Sequence, residues 1–181
     1  MTLTVISPPG EAALPLAEAK AFLRVGHDGE DTLIGDLVAG AQARLETAAG
    51  LVLVTQTLRH SVRAWPSSLT RQGIRLWPGP AASLVSVRIV DAGSNADDVT
   101  GQFELVDGRL KVRATSWCPP IPVGGEVQID VVAGYGAASD VPEDLIHALK
   151  LILLDAYRRN GEPGLPAAAE TVLKARREVL L

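Results

Sequence analysis

The hydrophobic period of this chain changes twice, and that change limits the folds open to it. Over residues 14–50, apolar side chains recur at helical spacing: Leu16, Ala19, Phe22 and Leu23 form a short stripe, with Pro15 where a first-turn proline is tolerated. The segment Gly26-His27-Asp28-Gly29 breaks the run. Asp28 reads as an N-cap with Asp31 three residues on, placing acid at the positive end of a helix dipole. From there Leu33, Leu37, Ala41, Leu45 and Ala48 make a second stripe, widened by Ile34 and Val38, and Gly50 supplies a C-terminal stop.

Between residues 51 and 135 the period falls towards two. Strands are expected at 55–65, 74–77, 83–90, 102–106 and 109–113, bounded by Pro66-Ser67-Ser68, Pro78-Gly79-Pro80, Gly93-Ser94-Asn95 and Asp107-Gly108. Asp107-Gly108 is the sharpest hairpin signal, because both central residues of a type I′ turn need positive φ. Residues 126–132 alternate, with Val127, Ile129 and Val131 on one face and Gln128 and Asp130 on the other, as a half-buried antiparallel strand requires. Asp97-Asp98 read as turn residues.

The helical period returns at Val141-Pro142-Glu143-Asp144, a proline start followed by two acids in the first turn. Leu145, Ile146, Leu149, Ile152, Leu153, Ala156 and Tyr157 give a broad apolar face. Asn160-Gly161 ends that helix, and Pro163 and Pro166 forbid its continuation. A last amphipathic piece spans 167–181, with Val172, Leu173, Val179 and Leu180 against Lys174, Arg176 and Arg177. The predicted fold class is α+β: a helical bundle of two N-terminal and two C-terminal helices with an inserted small antiparallel β-region, in a single domain over 1–181.

Composition narrows the function classes. The chain has 181 residues, 47% hydrophobic and 21% charged, enough to bury a core. A net charge of −4 argues against a free-standing nucleic-acid binder held by phosphate neutralisation. The single cysteine, Cys118, excludes an intrachain disulfide and suits a reducing compartment. Residues 1–10 lack the basic and apolar regions of a secretory signal. The densest apolar segment, 145–157, is interrupted by His147, Lys150 and Asp155 and falls short of the roughly 20 residues of a membrane helix. A soluble cytoplasmic protein is expected.

No catalytic, cofactor or metal constellation stands out. His27, His60 and His147 have no second His or Cys at ligand spacing, and His147 reads as a helix-surface partner of Asp144. Cys118 reads as a partly buried structural thiol. The acids around Asp28 lack an EF-hand's loop, and the glycines near 124 and 134 match no phosphate-binding fingerprint. Trp65, Trp77 and Trp117 all adjoin proline-containing turns, where they either cap a small sheet core or form a subunit interface.

Several stretches in order carry a resemblance: 16–25 (Leu-Ala-Glu-Ala-Lys-Ala-Phe-Leu-Arg-Val), an acidic turn with Asp31-Thr32-Leu33-Ile34, a helix ending at Gly50, Leu53-Val54-Thr55-Gln56-Thr57, Val131-Val132-Ala133-Gly134-Tyr135-Gly136, and Val141-Pro142-Glu143-Asp144-Leu145 leading to Tyr157-Arg158-Arg159-Asn160. Together they resemble the head-tail connector (adaptor, head-completion) proteins of long-tailed phages, in the subgroup with a β-insertion, over about 14–181. The adaptors of alphaproteobacterial gene transfer agents are of this type. Leu14 departs from the capping Ser or Thr of many relatives. The resemblance implies a structural protein, not an enzyme, that forms a ring of twelve copies beneath the portal. The ring would extend the DNA channel without sequence-specific binding and meet a tail-side stopper, neck or terminator protein. It implies assembly in the bacterial cytoplasm and a final place in the particle neck, with no membrane. The C-terminal helix would either be a portal-docking arm, with Leu173, Arg176, Arg177, Val179 and Leu180 as portal-binding candidates, or pack on its own bundle. The rival readings are a tail-side neck or tail-terminator component and a small soluble enzyme or regulator.

Overall fold

Nine residues from the N-terminus the chain leaves a β structure, builds two helices, returns to complete the β structure, and ends in two more helices. The computed structural model describes residues 2–159 and 165–179, with residues 177–179 in backbone only. The chain forms two compact units: a β unit of residues 2–8 and 55–134, and a helical unit of residues 9–54 with 135–159 and 165–179.

The β unit holds strands β1 (Thr2–Ser7), β2 (Gln56–Val62), β3 (Ile74–Arg75), β4 (Ala81–Val90), β5 (Ala96–Asp98), β6 (Phe103–Val106), β7 (Arg109–Val112) and β8 (Glu126–Ala133). Five of them form an antiparallel sheet in the order β1-β2-β8-β4-β5, and three form a second sheet in the order β3-β7-β6. The most alternating segment of the sequence, β8, is the central strand: Val127, Ile129, Val131 and Ala133 are fully buried. Cross-strand register lines them up with Val62, His60, Leu58 and Gln56 on β2. Asp107 and Gly108 sit at φ 52° and 67°, the pair of positive values a type I′ hairpin demands. Gly73, at φ 76°, lies so near β7 that a Cβ there would stand 2.7 Å from the Leu110 carbonyl oxygen and from Lys111 Cγ.

Two strands depart from expectation. β1 carries β-branched residues but pairs with a strand more than fifty positions away, and local periodicity does not register such pairing. Asp97-Asp98, expected in a turn, belong to the edge strand β5, in register with Ile89 and Arg88. The turn before it is closed instead by Asp91, whose Oδ1 accepts the Gly93 and Asn95 amides.

The helical unit contains α1 (Leu16–Leu23), α2 (Asp31–Ala49), α3 (Glu143–Arg158) and α4 (Ala167–Val179). Leu14, Ile34, Leu45, Leu53, Leu145, Leu149, Ile152 and Leu153 are the larger side chains of its core. Gly50 ends α2 in the left-handed region at φ 67°. The buried stripe of α2 is Ile34, Val38, Ala41, Leu45 and Ala49; the first four lie in the expected stripe, whereas Leu37 and Ala48 are only partly buried and Leu33 is 52% exposed. Pro15 is the N-cap of α1, one step outside the helix.

Asp28 does not cap α2. Glu30 occupies that position without a side-chain bond, and the Asp28 carboxylate takes Lys20 Nζ at 2.6 Å, a lysine shared with Asp31 at 2.5 Å. A cation within reach outcompetes the neutral amide as partner. His147 likewise is exposed, and Asp144 pairs with Arg176 instead. The expected stops at Asn160, Gly161 and Pro163 lie outside the described residues.

Candidate assembly surfaces

On the face of the large sheet opposite the buried apolar rows, one carboxylate gathers three strands. Asp130 of β8 is only 4% exposed. Arg59, its register partner on β2, donates Nε to Oδ1 at 2.7 Å and Nη2 to Oδ2 at 2.8 Å. From β4, Arg88 Nη2 donates to Oδ2 at 3.2 Å and Ser86 Oγ at 3.3 Å. The paired Arg59 guanidinium, with help from Arg88, holds the Asp130 carboxyl below the usual carboxylate range against the opposing effect of burial. This is a fixing device, a fork of charge-assisted bonds that sets strand register. Sequence alternation placed Asp130 on a solvent face. The arginines that cover it come from strands 42 and 71 residues away, which no local pattern links.

The opposite face holds a second unforeseen feature. His60 is fully buried between Leu3 and Ile129 in the sheet, and neither ring nitrogen has a hydrogen-bond partner. Burial pushes its pKa down, so the imidazole stays neutral. Its row is open at the edge: Leu3 and Val5 of β1 continue the rows of His60 and Leu58 yet are 44% and 50% exposed.

The tryptophans divide. Trp65 serves its own unit: its ring lies 5.1 Å from that of Phe103, and Nε1 donates to the Pro119 carbonyl at 2.8 Å. Trp77 and Trp117 are 60% and 64% exposed, and Val123, in the same proline-rich segment as Trp117, is entirely exposed. On the C-terminal helix, Leu173 is buried in the helical core, and Arg176 makes a bidentate pair with Asp144 at 2.7 and 2.8 Å. That pair lowers the Asp144 carboxyl's pKa. Arg177 and Val179 lie in α4 with side chains outside the described residues, as does Leu180 entirely.

Chemistry of other kinds finds no constellation among the described residues. No group of three His, Cys, Asp or Glu side chains is placed to hold a metal ion. The Cys118 thiol is half-buried, and burial pushes its pKa up, away from a reactive thiolate. No described helix is long and apolar enough to cross a membrane.

No protein-family model matches the chain, and no curated protein matches it in sequence. Solved structures do. A chain from the neck of an empty gene transfer agent particle, computed with C6 symmetry, superposes with a TM-score of 0.83 at 28% identity, covering 98% of this chain and 95% of that one. Chains from the virion of a native gene transfer agent particle and from the native neck computed with C12 symmetry give 0.81 and 0.79, at the same identity and coverage. With an α+β fold matched almost end to end, the chain resembles structural, non-enzymatic proteins of the neck of gene transfer agent particles.

Proposed function

We propose that the chain is the adaptor subunit of a phage-like particle, forming a ring of twelve copies beneath the portal and joining head to tail. The observation that carries this reading is the near-complete match to a neck chain, at a TM-score of 0.83 and 28% identity. Neck structures computed with C6 and C12 symmetry support a closed ring, which identical copies form when a head-to-tail interface rotates back on itself. Copies assemble in the bacterial cytoplasm and end in the particle neck, where the ring continues the DNA channel and offers its far side to a tail protein. Leu173 and Arg176 hold α4 on its own unit; in this reading Arg177, Val179 and Leu180 meet the portal first. Trp77 and Trp117 serve contacts between subunits.

The test is deletion of the gene followed by negative-stain electron microscopy of the particles. Heads and tails accumulating apart are expected, with head-tail joining restored by the gene in trans. Complete particles without the gene would overturn the reading, and loss of tails alone would move the protein to the tail side.

A further inference from the structure

The small sheet carries a concentration of positive charge that no ion pair among the described residues answers. Register places Arg75 of β3 directly opposite Arg109 of β7, and Lys111 shares their face by alternation. Like charges directly opposite each other destabilise a strand pair. Among the described residues none of the three side chains has a carboxylate partner. The contrast is sharpest for lysine: of the chain's four lysines, Lys20, Lys150 and Lys174 all sit in ion pairs and, among the described residues, Lys111 does not. The other face of this sheet is accounted for, since Ile74 and Leu110 are buried. The helical unit carries the chain's excess of acid, and there Asp36 and Glu143 are exposed with no ion partner among the described residues.

We propose that the basic face formed by Arg75, Arg109 and Lys111 docks on carboxylates of the helical unit of a second copy, an inference that rests on the ring assembly proposed above. Such a contact joins unlike surfaces, as closure of a ring requires. Glu104 stands opposite Lys111 on the same face. Its charge repels carboxylate and phosphate alike, but a protein surface also carries cations that can answer it and a phosphate backbone carries none, which favours a second copy over nucleic acid.

The experiment uses the full chain, isotope-labelled and unlabelled copies mixed in equal amounts, at high concentration and low salt. A zero-length carbodiimide joins lysine to carboxylate, and mass spectrometry separates links between copies from links within one. The expected result is a Lys111 link between copies to an acid of the helical unit, lost at high salt. Sedimentation should show self-association weakened at least about tenfold by Arg75→Glu with Arg109→Glu. An unchanged circular dichroism spectrum shows that the variant is folded, and the salt arm needs no variant. Copies that associate without a Lys111 link overturn the inference and leave the neck reading intact, since deletion and imaging decide that separately. A chain that stays monomeric under these conditions overturns it too. So does a face that retards duplex DNA with no copy-to-copy product, which would assign the cations to phosphate.

Discussion

Replacing His60 with leucine should make the protein more stable and blunt its response to acid. His60 is fully buried with Nδ1 and Nε2 both unpartnered. A buried polar group without a hydrogen bond costs about 1–3 kcal/mol, and leucine restores apolar contact with Leu3 and Ile129 at similar volume. A gain of about 1–3 kcal/mol is therefore expected at pH 7.5. For a unit of this size each kcal/mol moves the midpoint by about 4–8 °C. All three tryptophans lie in the β unit, so their fluorescence during thermal or urea unfolding reports on the right unit.

The pH dependence separates this from simple repacking. Burial lowers the folded-state pKa of His60 below its unfolded value near 6.5. Below about pH 6.5 the unfolded chain takes up a proton that the folded chain refuses. Stability should then fall by up to about 1.4 kcal/mol per pH unit until the depressed folded value is reached. His60→Leu should remove that slope and leave acid loss at carboxylate pH untouched. A variant less stable than the parent at pH 7.5, with the slope between pH 6.5 and 5 unchanged, would refute the reasoning and mean that the imidazole is satisfied in the fold.

Four further outcomes follow from the geometry. Asp130→Asn should cost roughly 1–3 kcal/mol at pH 7, towards the lower end because Arg59 and Arg88 are partly exposed; its pKa is lowered, so the difference from the parent in urea titrations should shrink as pH falls through the carboxylate range. Gly73→Ala adds the roughly 1–2 kcal/mol of a left-handed alanine to a clash with the Leu110 carbonyl, whereas Gly124→Ala, also at φ 76° but with its nearest neighbour at 3.4 Å, should show the conformational cost alone in the same melts. A double-mutant cycle on Arg176 and Asp144, both partly exposed, should give a coupling below about 1 kcal/mol that high salt removes. Trp77→Ala and Trp117→Ala should change the melting of the isolated chain little, within about 0.5 kcal/mol, and reduce particle yield on complementation, whereas Trp65→Ala should lower the melting temperature outright.

What was legible in the sequence was what periodicity encodes locally. The alternation of Val127, Ile129 and Val131 located the central strand, the Asp107-Gly108 pair located its hairpin, and Pro142-Glu143-Asp144 located the start of α3. Features made by partners far apart in the chain were not legible. Asp130 alternates as a surface residue should, and only Arg59 and Arg88, brought alongside by the sheet, make it a buried charge. β1 lacks a local partner, so its six residues offered no hairpin to recognise. Asp28 matched the spacing of a cap, but Lys20, eight residues back, competes for it. The family resemblance reached further than these local signals because order and spacing along the whole chain survive when individual motifs are weak.

An assembly subunit differs from an enzyme in where its free energy is left unspent, and this chain leaves it at the surface. Single exposed apolar residues are ordinary in soluble proteins, so exposure alone decides little. Trp77 and Trp117 are different in kind: tryptophan has the most area to bury, and Trp77 directly precedes Pro78 while Trp117 lies two residues before Pro119, prolines that restrict the nearby backbone before any contact forms. Burying the exposed part of one such ring is worth roughly 3 kcal/mol at about 25 cal/mol per Å², with little ordering cost to offset it. That is too weak to hold two free copies together at cellular concentration. In a closed ring each copy makes the contact twice, and docking on a neighbouring ring raises the effective concentration of the copies. If Trp77 and Trp117 make the subunit contacts proposed above, anchors of this strength would leave free copies apart and bind them firmly once a platform gathers them.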